Sequence, residues 1–123
     1  MINLKHKKLD VWQKGIELTV AVYNITGLFP ETELYGLSSQ LRRAAVSITS
    51  NIAEGAARSS AKERSRFYEI SRSSLVEVDT QLEIALKLKY IQQNDMKDLN
   101  ELLNHTFALL SNMISMSRQP TAF

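Results

Sequence analysis

Side chains that often carry chemistry are sparse in this sequence, whose 123 residues include two histidines and no cysteine. A carboxylate-bridged metal pair in a helical bundle needs inward glutamates and two Glu-x-x-His pairs. Neither His6 nor His105 lies three residues after a glutamate. Glu101 and His105 are four residues apart, which is the spacing of an ordinary contact on a helix surface. The sequence therefore predicts neither a metal site nor another cofactor, and it offers no cysteine nucleophile.

Three carboxylates on one predicted helix, Glu77, Asp79 and Glu83, have the chemistry of general acids and bases. Their spacing directs them to different sides of the helix, so a solvated helix surface explains them better. The sequence also contains no G-x-S-x-G motif, no phosphate-binding loop and no glycine-rich turn before a helix. We therefore expect a protein that is not an enzyme.

Basic residues form the charged feature that best suits a ligand. The formal net charge is only +2, but five cations lie between Arg58 and Arg72, together with Glu63 and Glu69. Clustered lysine and arginine bind the phosphates of nucleic acids without regard to sequence. Alternatively, these cations solvate the surface or pair with the two glutamates at helical spacing, which is the favoured interpretation for a single subunit. Repetition of the cluster around an oligomer would favour phosphate binding.

A second basic group lies near the start of the chain and consists of Lys5, His6, Lys7 and Lys8. No run of the sequence approaches the roughly 20 apolar residues that a membrane span requires. The first residues carry charges but no apolar segment of signal-peptide length. Together with the lack of cysteine, these features predict a cytoplasmic protein without a membrane partner.

Apolar residues recur at three- and four-residue steps along nearly the whole chain, without strand-like alternation. This pattern predicts an all-α fold, an antiparallel up-down-up-down four-helix bundle. The bundle is expected to span residues 9–118, after a short polar arm at residues 1–8 and before a frayed terminus at residues 119–123. The first three predicted helices span about residues 11–26, 36–58 and 61–88.

Local signals mark the helix ends. Asp10 is a candidate N-cap for the first helix, and Gly27 is a candidate left-handed stop at its end. Ser60 and Glu63 form an S-x-x-E capping-box pattern before the third helix. The candidate caps for the fourth helix are Asn94 and Asp95.

The second predicted helix, Gly36–Arg58, carries apolar residues on two faces. Its core-facing positions are Leu37, Leu41, Ala44, Ile48 and Ile52. The opposite face presents Val46 and Ala53 among alanines and serines, which let a neighbouring backbone approach closely. We interpret this face as a candidate oligomer interface. The alternative is that alanine simply favours helix and that Val46 is an ordinary exposed apolar residue.

Several inward positions of the predicted bundle carry small or polar side chains. They are Thr19, Asn51, Ser71, Ser74, Gln81 and Thr106. Buried polar groups need hydrogen-bond partners, so we expect an internal layer of hydrogen bonds near the middle of the bundle.

Three segments resemble a bacterial four-helix-bundle family, the 23S ribosomal RNA intervening sequence proteins. They are VWQKGIEL, FPETELYGLSSQLRRAAVSITSNIAEGAAR and SLVEVDTQLEIALKLKYI. The resemblance covers roughly Leu9 to Met116. It departs from the family at Lys89, where glycine is usual, and at Thr49, where proline is frequent. The third helix is therefore expected to end without a glycine stop, and the second helix to be straighter.

The resemblance implies an all-helical bundle that assembles as a ring, typically a homopentamer. The family is also similar to the accessory protein of diversity-generating retroelements, a pentameric barrel thought to bind nucleic acid and a reverse transcriptase through basic surface. By this resemblance, the expected partner is RNA or another nucleic acid. The residues expected to bind it are Arg42, Arg43, Arg58, Lys62 and Arg66. A module that only docks a protein partner, without nucleic acid, is the alternative.

Overall fold

Four α-helices form the body of the computed structural model, which describes residues 1–118. The helices are α1 (Asp10–Thr26), α2 (Leu37–Ala56), α3 (Ala61–Lys87) and α4 (Lys97–Ser117). Short 3₁₀ turns precede α1, α2 and α4 and span Lys5–Lys8, Glu31–Glu33 and Gln93–Met96. The described residues form no strand, and none of their helices is both long and apolar enough to cross a membrane. The all-α prediction is confirmed; the terminus expected to fray, residues 119–123, lies outside the described residues.

Contacts along the helices show that each one packs antiparallel against two neighbours. Thr26 at the end of α1 meets Arg42 early in α2, whereas Gly15 of α1 meets Thr49 later in α2. The same inverse order relates α2 to α3, α3 to α4 and α4 to α1. The four helices therefore form a closed square in chain order, with α1 and α2 along one side and α3 and α4 along the opposite side.

The core receives large side chains from all four helices. The fully buried ones include Leu18, Leu41, Ile48, Ile52, Leu82, Leu110 and Ile114. Two glycines let helices approach closely: a Cβ added at Gly15 would lie 2.7 Å from Thr49 Oγ1, and one at Gly55 would lie 2.7 Å from the Tyr68 ring. Because α1 contacts α2 through the first glycine and α3 contacts α2 through the second, α2 is packed on two sides within one chain. The helix runs without interruption through Thr49.

The predicted polar layer is present where α2 meets α1 and α3. Thr19 Oγ1 lies 3.3 Å from Thr49 Oγ1, and Ser71 Oγ donates a hydrogen bond of 2.7 Å to the Ile48 carbonyl. A second group of bonded side chains consists of Ser47, Asn51 and Ser74. These bonds join three helices at mid-bundle, as buried polar groups require.

The remaining two predicted members of that layer are buried but incompletely bonded. Gln81 Nε2 donates to Glu77 Oε1 at 3.2 Å, while Gln81 Oε1 meets no hydrogen-bond partner among residues 1–118. Thr106 Oγ1 on α4 also meets none within that range. Of these six side chains, Thr19, Asn51, Ser71 and Ser74 are therefore joined in the predicted layer, whereas Gln81 on α3 and Thr106 on α4 do not complete it.

The ends of α1 differ from the prediction. Leu9 occupies the N-cap position without a side-chain hydrogen bond, and Asp10 is the first helical residue. Its carboxylate still places negative charge at the positive end of the helix dipole. Gly27 is right-handed, with a φ of −63°. The N–H groups of Gly27, Leu28 and Phe29 each donate to the carbonyl three residues back, so tightened turns end the helix without a left-handed residue.

Side-chain hydrogen bonds form the N-terminal caps of α3 and of the 3₁₀ turn before α4. Ser60 Oγ accepts from the Glu63 N–H at 3.1 Å, which confirms the predicted N-cap of α3. The prediction for the fourth helix is wrong: Met96 is at the N-cap position of α4 without a side-chain hydrogen bond. Gln92 is the N-cap of the preceding 3₁₀ turn, and its N–H donates to the Asp95 carboxylate at 2.8 Å. Asp95 is thus the third residue of a capping box, and Asn94 lies inside the turn.

A left-handed lysine ends α3. Lys89 has a φ of 63°, the only positive φ among residues 1–118. The Tyr90 N–H donates to the Ala85 carbonyl, and the Lys89 N–H to the Leu86 carbonyl, both at 3.0 Å. These two bonds form a Schellman motif, whose left-handed position usually holds glycine. The chain therefore keeps the geometry of a glycine stop with a lysine in its place.

Replacing this lysine by glycine tests the backbone strain. We expect Lys89→Gly to raise the free energy of unfolding by about 1 kcal/mol, because a Cβ disfavours the left-handed conformation by roughly that amount. Urea denaturation followed by circular dichroism measures it. Lys87→Gly, inside the last turn of α3, should instead lower stability by about 1 kcal/mol. A loss of stability in both variants would contradict the strain argument.

A carboxylate ties together the loops at one end of the bundle. Glu33 Oε1 accepts from the Leu37 N–H at 3.1 Å, and Glu33 Oε2 accepts from the Tyr90 hydroxyl at 2.7 Å. The bond from Leu37, and then that from Tyr90, hold the pKa of Glu33 below its ordinary value. The bond to Glu33 in turn raises the pKa of Tyr90. Glu33 thus caps α2 and joins it to the α3–α4 connection.

The lowered pKa makes this contact dependent on pH. Ionised Glu33 stabilises the fold above the ordinary glutamate pKa of about 4.3, and that contribution is lost as the pH falls through the lower folded-state pKa. We expect Glu33→Gln to unfold at a lower urea concentration than the unaltered protein at pH 7. The gap should narrow at acid pH. Glu31→Gln, at an exposed neighbour, serves as control, and a gap of constant size would refute this account.

Candidate nucleic-acid interface

Three of the five predicted binding residues lie at the end of the bundle where α2 turns into α3. Arg58 follows the last turn of α2, and Lys62 and Arg66 lie one turn apart on α3. Residues four apart on a helix share one side. All three side chains are exposed. The fold therefore brings these cations to one end of the molecule, as the sequence predicts.

Two arginines shape the turn itself. The Arg58 guanidinium lies 4.6 Å from the centre of the Phe67 ring and 3.8 Å from the Glu54 carboxylate. Arg64 donates to the carbonyl of Arg58 at 3.1 Å and to that of Ser59 at 2.9 Å. Arg64 is therefore used to hold the turn, while Arg58 is positioned by an aromatic ring and remains half-exposed.

The glutamates near this cluster do not neutralise it in the predicted way. Among residues 1–118, neither Lys62 nor Arg66 forms an ion pair. Glu69 pairs with Arg118, just after α4. Pairing of the cluster with Glu63 and Glu69 at helical spacing is thus not the arrangement found in this part of the chain. Lys62 and Arg66 keep their charges directed to solvent.

The N-terminal 3₁₀ turn adds further cations to the same end. Lys5–Lys8 contacts both α1 and α2, because α1 starts at Asp10 beside the end of α2. The ring of His6 packs edge-on against that of Trp12, with 5.5 Å between centroids. Residues 5–8 are therefore a folded turn within the arm predicted at residues 1–8. We call Lys5–Lys8, Arg58, Lys62 and Arg66 the basic end.

The other two predicted binding residues lie elsewhere. Arg42 is sixteen residues before Arg58, or roughly 24 Å along α2 at 1.5 Å per residue. Its Nε donates to Thr26 Oγ1 at 2.9 Å, and its guanidinium lies 4.8 Å from the centre of the Tyr23 ring. Arg42 therefore packs on the end of α1, where the helix dipole favours a cation. Arg43 is exposed beside it, so the five predicted residues form two separate surfaces.

Both residues of the predicted oligomer interface face outward from α2. The side chain of Val46 is 43% exposed, and Ala53 is half-buried. On α1, Ile16, Val20 and Tyr23 form an exposed apolar stripe beside them, and Tyr23 and Val46 line the same groove. We call these five residues the α1–α2 face. The three α1 residues recur at helical spacing in the sequence, but no prediction assigned them to an interface, because which residues of α1 stay exposed depends on the packing of α2.

The carboxylates and histidines weighed for chemistry are dispersed. No three histidine or carboxylate side chains among residues 1–118 lie together as a metal-binding group. His105 Nε2 lies 3.8 Å from an Asp10 carboxylate oxygen at the surface. Glu77 accepts from Gln81, while Asp79 lines a groove between α3 and α4. Glu83 lies one turn after Asp79 on the same side of α3, so the expectation that the three carboxylates point in different directions is wrong for this pair.

A solved structure shares this fold. It is a 1.70 Å crystal structure of a protein with unknown function from the S23 ribosomal protein family of Bacteroides thetaiotaomicron VPI-5482. The two superpose with a TM-score of 0.75 and 23% sequence identity, over 85% of this chain and 97% of that one. At this identity the likeness shows the fold alone. No curated protein matches the chain.

Family assignment rests on a longer match. The sequence model of the 23S rRNA-intervening sequence protein family matches residues 7–112, which include α1, α2, α3 and most of α4. This span covers each of the three segments that carry the sequence resemblance. The resemblance is thereby confirmed, and the chain belongs to the 23S rRNA-intervening sequence protein family.

Proposed function

We propose that this protein is a non-enzymatic, oligomeric protein that binds RNA or another nucleic acid through its basic end. The single observation that carries the proposal is the gathering of Lys5–Lys8 with Arg58, Lys62 and Arg66 at one end of the bundle. Among residues 1–118, Glu69 pairs with Arg118, Glu54 pairs with Arg58 of the basic end itself, and Glu63 forms no ion pair with Lys62 or Arg66. A cytoplasmic location belongs to the same proposal.

Phosphate contacts account for such binding without base recognition. Each lysine or arginine that neutralises a phosphate releases counterions, so affinity falls steeply as salt rises. One basic end offers only a few such contacts, which gives weak binding on its own. Several copies joined in one assembly would bind one polyanion together and multiply the affinity. Oligomerisation is therefore part of the proposal, with the homopentamer of the family resemblance as the expected number of copies.

Charge reversal on the basic end tests phosphate binding. We expect the combined change Arg58→Glu, Lys62→Glu and Arg66→Glu to weaken binding to a structured RNA hairpin at least about tenfold at 50 mM salt. The slope of log affinity against log salt should also become shallower by about one for each lost phosphate contact. Fluorescence anisotropy between about 50 and 200 mM salt measures both quantities.

A matched control reverses three lysines at the opposite end of the bundle. Lys87→Glu, Lys89→Glu and Lys97→Glu make the same change in net charge and should leave most of the affinity intact. Equal affinity of the basic-end variant and the unaltered protein would remove this function. So would the absence of binding by the unaltered protein at low salt.

The α1–α2 face supports oligomerisation through its exposed apolar side chains. We expect Val46→Glu, and separately Ala53→Glu, to convert the assembly to monomers while helical content is retained, because a buried unpaired charge is costly at such a contact. Light scattering coupled to gel filtration gives the mass, and circular dichroism gives the helicity. Leu28→Glu, at a more exposed position outside the face, is the control. An unaltered protein that is monomeric at micromolar concentration would contradict oligomerisation.

A second candidate function also has an observation in its favour. Leu34 and Tyr35 protrude beside the α1–α2 face, and Tyr35 is 93% exposed. Exposed aromatic side chains are common anchors in protein interfaces. A docking module for a different protein would use this surface and would not need the basic end. Loss of a host protein from pull-downs with Val46→Glu, together with its retention by the basic-end variant, would separate the two uses.

A further inference from the structure

A second apolar surface lies on the side of the bundle opposite the α1–α2 face. It is a groove of about 170 Å³ between α3 and α4. Leu75 and Leu103 are buried at its floor, while Val76 and Phe107 are 51% and 43% exposed at its rim. We call these four residues, with Asp79 beside them, the α3–α4 groove. Since α1 and α2 form one side of the helical square, this groove and the α1–α2 face point away from each other.

The two surfaces carry opposite charges. Asp79 lines the α3–α4 groove, Glu83 follows one turn later, and neither forms an ion pair within residues 1–118. Arg72 lies beside the groove, where it donates to Ser111 Oγ and its guanidinium lies 5.9 Å from the centre of the Phe107 ring. These neutral partners leave its charge intact, so two carboxylates against this one cation give a net negative charge beside the groove.

On the other side, Arg43 borders the α1–α2 face. Its Nη2 donates to Ser39 Oγ at 3.1 Å, and among residues 1–118 it has no carboxylate partner. Arg43 and Val46 line the same groove on that face. The α1–α2 face thus combines apolar side chains with an arginine that has no carboxylate partner among residues 1–118. The α3–α4 groove combines apolar side chains with carboxylates that have no ion pair in that range.

We propose that the α3–α4 groove receives the α1–α2 face of a second copy of this chain. Val46 and its apolar neighbours pack against Val76 and Phe107, and Arg43 faces Asp79. The contact rests on the oligomerisation proposed above and names the two surfaces that meet. It is heterologous, because two different surfaces join, so every added copy offers one further surface of each kind until the ring closes.

Charge argues against the alternative in which two α1–α2 faces meet each other. Such a twofold contact would bring the same patch of both copies together and would place Arg43 and Arg42 near their own counterparts. Like charges at a desolvated contact cost free energy, whereas Arg43 opposite Asp79 is attractive. The arrangement of charges therefore favours a head-to-tail contact.

Mixing two surface variants tests the assignment. Val46→Glu disables the α1–α2 face and Val76→Glu disables the groove, so each alone should be monomeric by light scattering at micromolar concentration. Each variant keeps the surface that the other lacks. Mixed in equal amounts, they should therefore form a dimer that contains one copy of each. Met116→Glu, at an exposed position on the side of α4 opposite Phe107, should assemble like the unaltered protein.

A charge exchange tests the polar part of the contact. Arg43→Asp and Asp79→Arg should each weaken assembly about tenfold, and the double variant should recover most of that loss, because the attraction is restored with its sign reversed. The midpoint of a dilution series followed by light scattering measures the effect. Arg43→Asp combined with Lys87→Asp weakens the contact at Arg43 without placing a cation at Asp79, so its assembly should stay as weak as that of Arg43→Asp alone.

Several outcomes separate this contact from the function proposed above. Assembly that persists in Val76→Glu and in Phe107→Ala would overturn the groove assignment and leave oligomerisation intact. Two monomeric variants that do not combine would also overturn it, provided circular dichroism shows both folded. An unaltered protein that is monomeric would remove both proposals together. Loss of RNA binding in assembled basic-end variants bears only on the nucleic-acid function.

Discussion

Packing of α2 between two neighbouring helices is the constraint on which the rest of the structure depends. Gly15 of α1 admits Thr49 on one side of α2, and Gly55 admits the ring of Tyr68 on the other. Both sides of α2 are consequently used within the chain, and only a narrow outer strip is left. That strip presents Val46, while the end of the same helix delivers Arg58 to the turn. Both candidate surfaces thus take their positions from one doubly packed helix.

Apolar periodicity and one capping signal were sufficient to predict the bundle and the start of α3 at Ser60. The grouping of Lys62 with Arg66 at the basic end was also predictable, because residues four apart share one side of a helix. The contribution of Lys5–Lys8 was not predictable, because those lysines come to the same end of the bundle as Arg58 only through antiparallel packing of α1 on α2. The engagement of Arg42 was hidden for the same reason: its partners lie on another helix.

Helix ends were the least predictable part of the fold, because several local arrangements satisfy the same backbone groups. Gly27 permits a left-handed stop, yet successive three-residue bonds complete the end of α1 without one. Asp95 has the side chain of an N-cap, but it accepts from Gln92 three residues earlier. Lys89 takes the left-handed position at the end of α3 because the bonds to Ala85 and Leu86 require it there.

The α1–α2 face and the α3–α4 groove both run along the sides of the bundle, whereas the basic end lies at its tip. A partner that covers the α1–α2 face or the α3–α4 groove leaves the basic end accessible. Protein contacts on the sides and a polyanion at the basic end would therefore not overlap. Copies related by rotation about a common axis would also point their tips the same way. The basic end and the two side surfaces therefore lie on different parts of the molecule. Addition of copies at the sides would enlarge the basic surface without burying it.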